Sequence, residues 1–293
     1  MKIKETRGMV VFRILNAIVL TALAFMCFYP IYHVCMASFS NGNRLLGHTG
    51  ILLYPLDFTL DAYKKIIEYP ILLRSYGNTL IICVVTLILN VLLTSFAAYA
   101  LTRKENKLRN PVMMLILFTM YFNGGMVPTY MLIKNIGLLN SLWSIILPGA
   151  LSTYNLIVLR TSFAAIPESL NESARIDGAG HFHILFYIVL PLSKATMAVI
   201  VLYYLVGHWN EWFRPSLYLD DRNKYPLQLL LRELLIENDS GEMAQDVLDS
   251  DKQALSETLK YAAIMVSTLP ILCVYPFLQK YFAKGVMVGA VKG

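Results

Sequence analysis

Long apolar runs alternate with short polar segments along this chain. A membrane-spanning helix needs about 20 mostly apolar residues. Six runs approach that length, roughly Ile14 to Phe39, Thr79 to Leu101, Val112 to Tyr130, Leu142 to Leu159, Ala195 to Leu219 and Tyr261 to Phe282. They are continuously apolar, whereas the strands of a membrane barrel alternate in polarity over about ten residues. The pattern predicts an all-α polytopic membrane protein, with residues 1–293 forming one transmembrane domain.

Two longer polar segments, 160–194 and 217–259, interrupt the apolar pattern. In the first, Pro167 suits an opening helical turn, Glu168 complements the positive end of the helix dipole, and Gly178 suits the position just past the last turn. Residues 167–177 then read as about three turns of helix. Leu170, Ser173, Ala174 and Asp177 share one narrow face of small side chains, shaped to enter a groove of another protein. Phe182, Leu185, Phe186 and Val189 repeat the helical spacing before Pro191, where the helix is expected to break. A helix resting on lipid would carry Lys and Arg on its polar face. Here Glu168, Glu172 and Asp177 outweigh Arg175, which favours docking to protein. In the acidic segment 217–259, Leu227, Leu230, Leu231 and Leu234 predict a short helix. The segment lacks the alternating ligands and Gly of a calcium-binding EF-hand.

Composition agrees with the pattern. The chain is 57% hydrophobic, 15% charged and has a mean hydropathy of +0.55, too apolar for an ordinary soluble domain. Its net charge of +6 does not point to nucleic acid, because the basic residues gather beside the apolar runs, where topology and anionic lipid place them. Lys2, Lys4, Arg7 and Arg13 precede the first run as in a secretory signal. That run continues for about 25 residues, past the length of a signal's apolar region, so an uncleaved first helix is expected, kinked at Pro30. Arg103, Lys104, Lys107 and Arg109 crowd one short loop, which places it inside. Both termini and 160–194 are then cytoplasmic, and 217–259 lies outside.

Candidate chemistry is sparse. Cys27, Cys35, Cys83 and Cys273 all fall within apolar runs and read as small buried residues. His181 and His183 point to different faces of a helix and complete no metal set. No G-x-x-x-x-G-K-[ST] occurs, so nothing in the sequence would cradle the phosphates of ATP. Nor is there a paired carboxylate or a Ser, His and Asp set to suggest catalysis.

Glu172, Ser173, Ala174 and Gly178, followed by Ile188, Leu190 and Pro191, resemble the cytoplasmic signature loop of the integral membrane subunits of bacterial ATP-binding-cassette (ABC) importers. Ser173 stands where that family usually has Ala. The resemblance implies a type I importer permease with six transmembrane helices, in a bacterial cytoplasmic membrane. It also implies a coupling helix, with Glu172, Ser173, Ala174, Asp177 and Gly178 as the residues that couple transport to ATP hydrolysis. Implied partners are a second homologous permease, two ATP-binding subunits that use ATP and Mg, an extracytoplasmic solute-binding protein, and membrane lipid. This chain itself would bind no cofactor or metal.

Other stretches sharpen the resemblance. Trp209, Asn210, Glu211 and Trp212, then Arg214 and Pro215, are similar to the fifth helix of maltose-type sugar permeases. Residues 123–130 with Gly137 to Asn140, and Ala37 to Ser40, resemble a subgroup handling complex oligosaccharides. Lys284, Gly285 and the ending Gly289 to Gly293 match a termination common in such permeases. The implied function is oligosaccharide import by alternating access, with an amino-acid or peptide cargo as the alternative within the class. Asn123, Trp209, Asn210 and Glu211 are candidates for the substrate path, since a charge within a membrane helix is costly unless it faces the interior or water. Arg214, three residues after Glu211, offers an ion pair as the other explanation, and for Asn123 to Pro128 the alternative is a simple helix break, since Gly-Gly and Pro disrupt helix geometry. A secondary transporter would instead show internal repeats and carboxylates near the midplane, whereas Glu211 falls near one end of its run.

Overall fold

A computed structural model describes residues 7–68, 70–241, 257–274 and 276. Among them the backbone is largely helical and forms no strand. Helices suit continuously apolar runs in lipid, because a helix satisfies its own N–H and C=O groups where water is absent. The described residues fall into two compact units, those within Met1–Tyr69 and Glu233–Thr268 and those within Pro70–Arg232 and Leu269–Gly293.

In the first unit, α1 (Arg7–Ser38) runs through Pro30. Phe12, Leu15, Ile18, Phe25, Met26 and Phe28 are all exposed, an apolar surface suited to lipid or to another protein's helices. At its end the chain folds back around α2 (Gly42–Leu46) and α3 (Asp61–Glu68). Ser38 and Tyr63 hydroxyls lie 2.8 Å apart, Asn41 N–H donates to Leu56 C=O, and Phe39 stacks between Phe58 and Tyr63.

The second unit is organised by α4 (Pro70–Thr102). Its buried residues include Ser75, Thr79, Cys83, Thr86, Asn90, Thr94 and Ala98, spaced three or four apart on one face. Leu73, Leu80, Ile81, Val84 and Ile88 are exposed on the others. Small and polar residues let membrane helices approach closely, so this stripe faces protein while the apolar sides face lipid. Against it pack α8 (Thr153–Ala164) and α11 (Lys194–Trp209).

Several expected spans are broken. The run Val112 to Tyr130 is two helices, α5 (Arg109–Tyr121) and α6 (Met126–Asn135), bent by 112° at Phe122–Gly125. Gly125 has φ +89, open to glycine and strained for other residues. The run Leu142 to Leu159 divides into α7 (Trp143–Ile146) and α8, because Pro148 and Gly149 interrupt the helical ladder between them. The fifth run ends as a helix at Trp209, and the short α12 (Phe213–Tyr218) follows Asn210–Trp212. Among the described residues three helices, α1 (apolar from Gly8), α4 and α14 (Glu257–Val274), are long and apolar enough to span a membrane; the count rises to five if each bent pair is one span. The expected helix near Leu227 is present as α13 (Leu227–Gly241), with Leu227, Leu230 and Leu231 buried. Cys83 is buried as expected, but Cys35 is only half-buried and Cys27 and Cys273 are exposed.

Pro191 does not end its helix. α10 (His181–Leu192) continues through it because Leu185–Val189 widens into a π-turn, making room where the proline ring would crowd the preceding carbonyl. The break falls two residues later at Ser193, where α10 and α11 meet at 87°.

Candidate coupling site

The polar segment 160–194 forms a short helix, α9 (Glu168–Ile176), followed by α10. Pro167 sits at the N-cap, one residue before the first helical turn. At the other end Gly178 N–H donates to Arg175 C=O and Ala179 N–H donates to Ala174 C=O, closing the helix in a Schellman motif. Gly178 has φ +81, which this motif requires and which only glycine adopts without strain.

The expected narrow face divides. Ala174 is buried and joins a core cluster with Tyr99, Leu156, Phe163, Ile184 and Leu185, so it seats α9 on its own bundle. Asn171, three residues earlier, is buried beside it. Glu172, Ser173, Asp177 and Gly178 are exposed. Asp177, Gly178, Ala179, Gly180 and His183, with Ala174 and Ile188, line an open groove at the turn between α9 and α10. Ile176, the last residue of α9, is also exposed.

The basic loop after α4 grips α9. Lys104 pairs with Glu168, the first residue of α9, and Glu105 pairs with Arg175 in its last turn. The Arg175 guanidinium holds the Glu105 carboxyl down to about 2, and the Glu168 carboxylate raises the Lys104 ammonium. Arg103 lies 4.4 Å over the Tyr99 ring, and Tyr99 Oη is 3.3 Å from His181 Nδ1 at the start of α10.

A model of the binding-protein-dependent transport system inner membrane component matches residues 90–288, more than half of the chain and all of the segment 160–194. The chain belongs to this family. The polygalacturonan/rhamnogalacturonan transport system permease protein YtcP of Bacillus subtilis (strain 168) is 42% identical over 274 residues, covering 94% of this chain and 96% of that protein. Protein LplC of the same organism is 39% identical over 293 residues, covering 99% and 97%. A chain from the crystal structure of a bacterial ABC transporter involved in the import of the acidic polysaccharide alginate superposes with a TM-score of 0.87 at 30% identity, covering 96% of this chain and all of that one. The protein is thus a transporter permease subunit, and the secondary-transporter alternative is set aside.

The candidate path residues of this permease lie at helix breaks. Asn123 is exposed at the bend between α5 and α6, where its Oδ1 accepts from Gly125 N–H at 2.8 Å. Trp209 is buried edge-on to Tyr76, and Asn210 caps the end of α11. Glu211 accepts from the Arg214 backbone N–H, Nε and Nη2 at 3.2, 3.0 and 2.6 Å. Glu211 is therefore neutralised locally, as the i, i+3 spacing allows. Trp209, Asn210 and Glu211 sit together through their adjacency in the chain.

A polar lattice escaped the sequence reading. Asn90 on α4 lies 2.8 Å from His208 Nε2 on α11. With its amide turned so that Oδ1 accepts from His208, the two N–H groups of its Nδ2 share the carbonyls of Thr86, Gly149 and Ala150, which lie at 3.0, 3.1 and 2.9 Å. One amide thereby satisfies backbone freed by the break between α7 and α8. Thr94 and Tyr204 hydroxyls lie 2.8 Å apart, and Tyr204 accepts from Ser152 N–H at 3.1 Å. The backbone approaches closely at Gly149, where a Cβ would sit 2.9 Å from Arg214 Nη1 and 3.2 Å from His208 Cε1 and would push those side chains aside. The readable signal was the three-to-four spacing of small and polar residues in α4.

Proposed function

We propose that this chain is the permease subunit of an ATP-driven, binding-protein-dependent importer of oligosaccharides, working by alternating access. The observation that carries this reading is its likeness, at a TM-score of 0.87 and over 96% of its length, to a chain of the alginate importer. The polygalacturonan/rhamnogalacturonan permease, 42% identical, makes uronate oligomers the first cargo to test. ATP and Mg are used by two partner subunits, a second permease completes the pathway, and an extracytoplasmic binding protein delivers the cargo. Both termini and the α9–α10 turn face the cytoplasm, where exposed Glu172, Ser173, Asp177 and Gly178 meet the ATP-binding subunit. Ala174 contributes by seating α9 from within.

The test is purification of the complex from its native membrane, followed by thermal-shift screening of the binding protein against uronate and neutral oligomers. The best binder is then followed into proteoliposomes with ATP inside. Uptake that requires both ATP and the binding protein supports the reading. Uptake by this chain without an ATP-binding partner would overturn it.

A further inference from the structure

We infer that the loop following α4 is a second transmission contact of the coupling helix, with Lys104 and Glu105 acting as positioning residues that tie the motion of α9 directly to α4. This rests on the coupling role proposed above for α9.

The geometry is specific. Glu168 and Arg175 are seven residues apart, so they share one face of α9 at opposite ends, about 10 Å along its axis. Lys104 and Glu105 are adjacent in the chain, yet one reaches the acid at the N-terminal end and the other the base at the C-terminal end. Reversing the helix or exchanging the two loop residues would set like charges against each other. The pairs therefore fix both the position and the direction of α9, a role for which repulsion in wrong arrangements matters as much as attraction in the right one.

The loop is no slack tether. Asn106 Nδ2 donates to Ala100 C=O at 3.1 Å, its Oδ1 accepts from Leu108 N–H at 3.1 Å, and Arg109 N–H donates to Asn106 C=O at 3.2 Å. Arg160 Nε on α8 donates to Leu101 C=O at 3.2 Å, and Arg103 covers Tyr99. The loop thus continues α4 as a folded turn. Motion of α9 along its axis is passed to the end of α4, and Asn90 and Thr94 on α4 hold α11 and the broken segment before α8. The covalent route from α9 to α11 passes through the π-turn of α10 and the bend at Ser193. The loop bypasses both.

Spatial continuity alone does not demonstrate coupling; a charge-exchange cycle does. In the assembled transporter, substrate moved per ATP hydrolysed is measured for Glu105→Arg, Arg175→Glu and the double exchange, with Gly178→Val in parallel. Each single reversal is expected to lower that ratio by about fivefold or more, within the usual range of coupling energies. The double exchange restores it. Lys104→Glu with Glu168→Lys repeats the cycle at the other end, so poor assembly of one pair leaves the other as the test. Wild-type ratios in the single reversals of both pairs, or double exchanges no better than their singles, would overturn the inference. If Gly178→Val uncouples while the reversals do not, the loop proposal fails and the coupling helix stands. If Gly178→Val stays fully coupled, the coupling reading itself fails.

Discussion

Asn90 and His208, 118 positions apart in sequence, meet at 2.8 Å inside the contact between α4 and α11. Because the same amide also satisfies carbonyls at the α7–α8 break, its loss leaves several polar groups without partners where water does not reach. Asn90→Leu is expected to destabilise the permease by about 1–3 kcal/mol, the cost of orphaned buried polar groups. Thr86→Val, one turn away, should be close to neutral, since the buried Thr86 Oγ1 makes no hydrogen bond. Unfolding in mixed micelles compares the two. Equal losses would sink the assignment of Asn90 as the organising residue.

Gly178 separates backbone strain from docking. A Cβ added there meets nothing within 4 Å, so the penalty within this chain is conformational. Gly178→Val should cost about 1–2 kcal/mol for holding a branched residue in the left-handed region. Gly178→Asn, which tolerates that region better, should keep the Schellman closure while still placing a side chain in the groove. If both variants insert normally and both hydrolyse ATP without transport, the groove is the docking surface. Full transport by Gly178→Asn would assign the glycine to helix closure alone.

The clamp on α9 should be insensitive to pH near neutrality. Glu105 has its pKa lowered to about 2 in the folded protein, so its contribution is complete above its ordinary value of 4.5 and lost only as pH falls from there toward 2. Lys104 and Arg175 are shifted upward, so their contributions persist below their ordinary values and weaken only in strong alkali. The difference in transport per ATP between wild type and Glu105→Gln should stay constant from about pH 5.5 to 8.5. It should shrink with added salt, because all four side chains are at least one-third exposed.

Orientation can be read with single cysteines. After replacement of Cys27, Cys35, Cys83 and Cys273, Asn106→Cys in the loop after α4 should react with an impermeant maleimide only in opened cells. Asn223→Cys, on the exposed turn before α13, should react from outside in intact ones. The reverse pattern would invert the topology and remove α9 from the cytoplasm.

Hydropathy made the helical class legible, because lipid demands long apolar runs whatever their neighbours. It could not locate the breaks at Pro148–Gly149 and Ser193, since a window averaging composition does not register which backbone bonds are missing, whereas Gly124, Gly125 and Pro128 marked the one at residues 122–125. Pro191 misled in the opposite direction: a π-turn upstream absorbed it. The end of α9 at Gly178 was legible through local helix-end chemistry. Ala174 belonged to the same spacing but turned inward, which depends on the packing of Phe163 and Leu185. The Glu105–Arg175 pair joins residues 70 apart, a separation at which no local spacing in the sequence announces a contact.

The three-to-four spacing of buried residues on α4 gives that helix a phase as well as a length. One residue inserted near Val84 would rotate everything beyond it by about 100°. Asn90 and Thr94 would turn out of their contacts with α11, and the loop at Lys104 would swing off α9. The membrane would still be spanned, with every apolar residue retained, so insertion of the chain into lipid and its working assembly answer to different properties of the same helix.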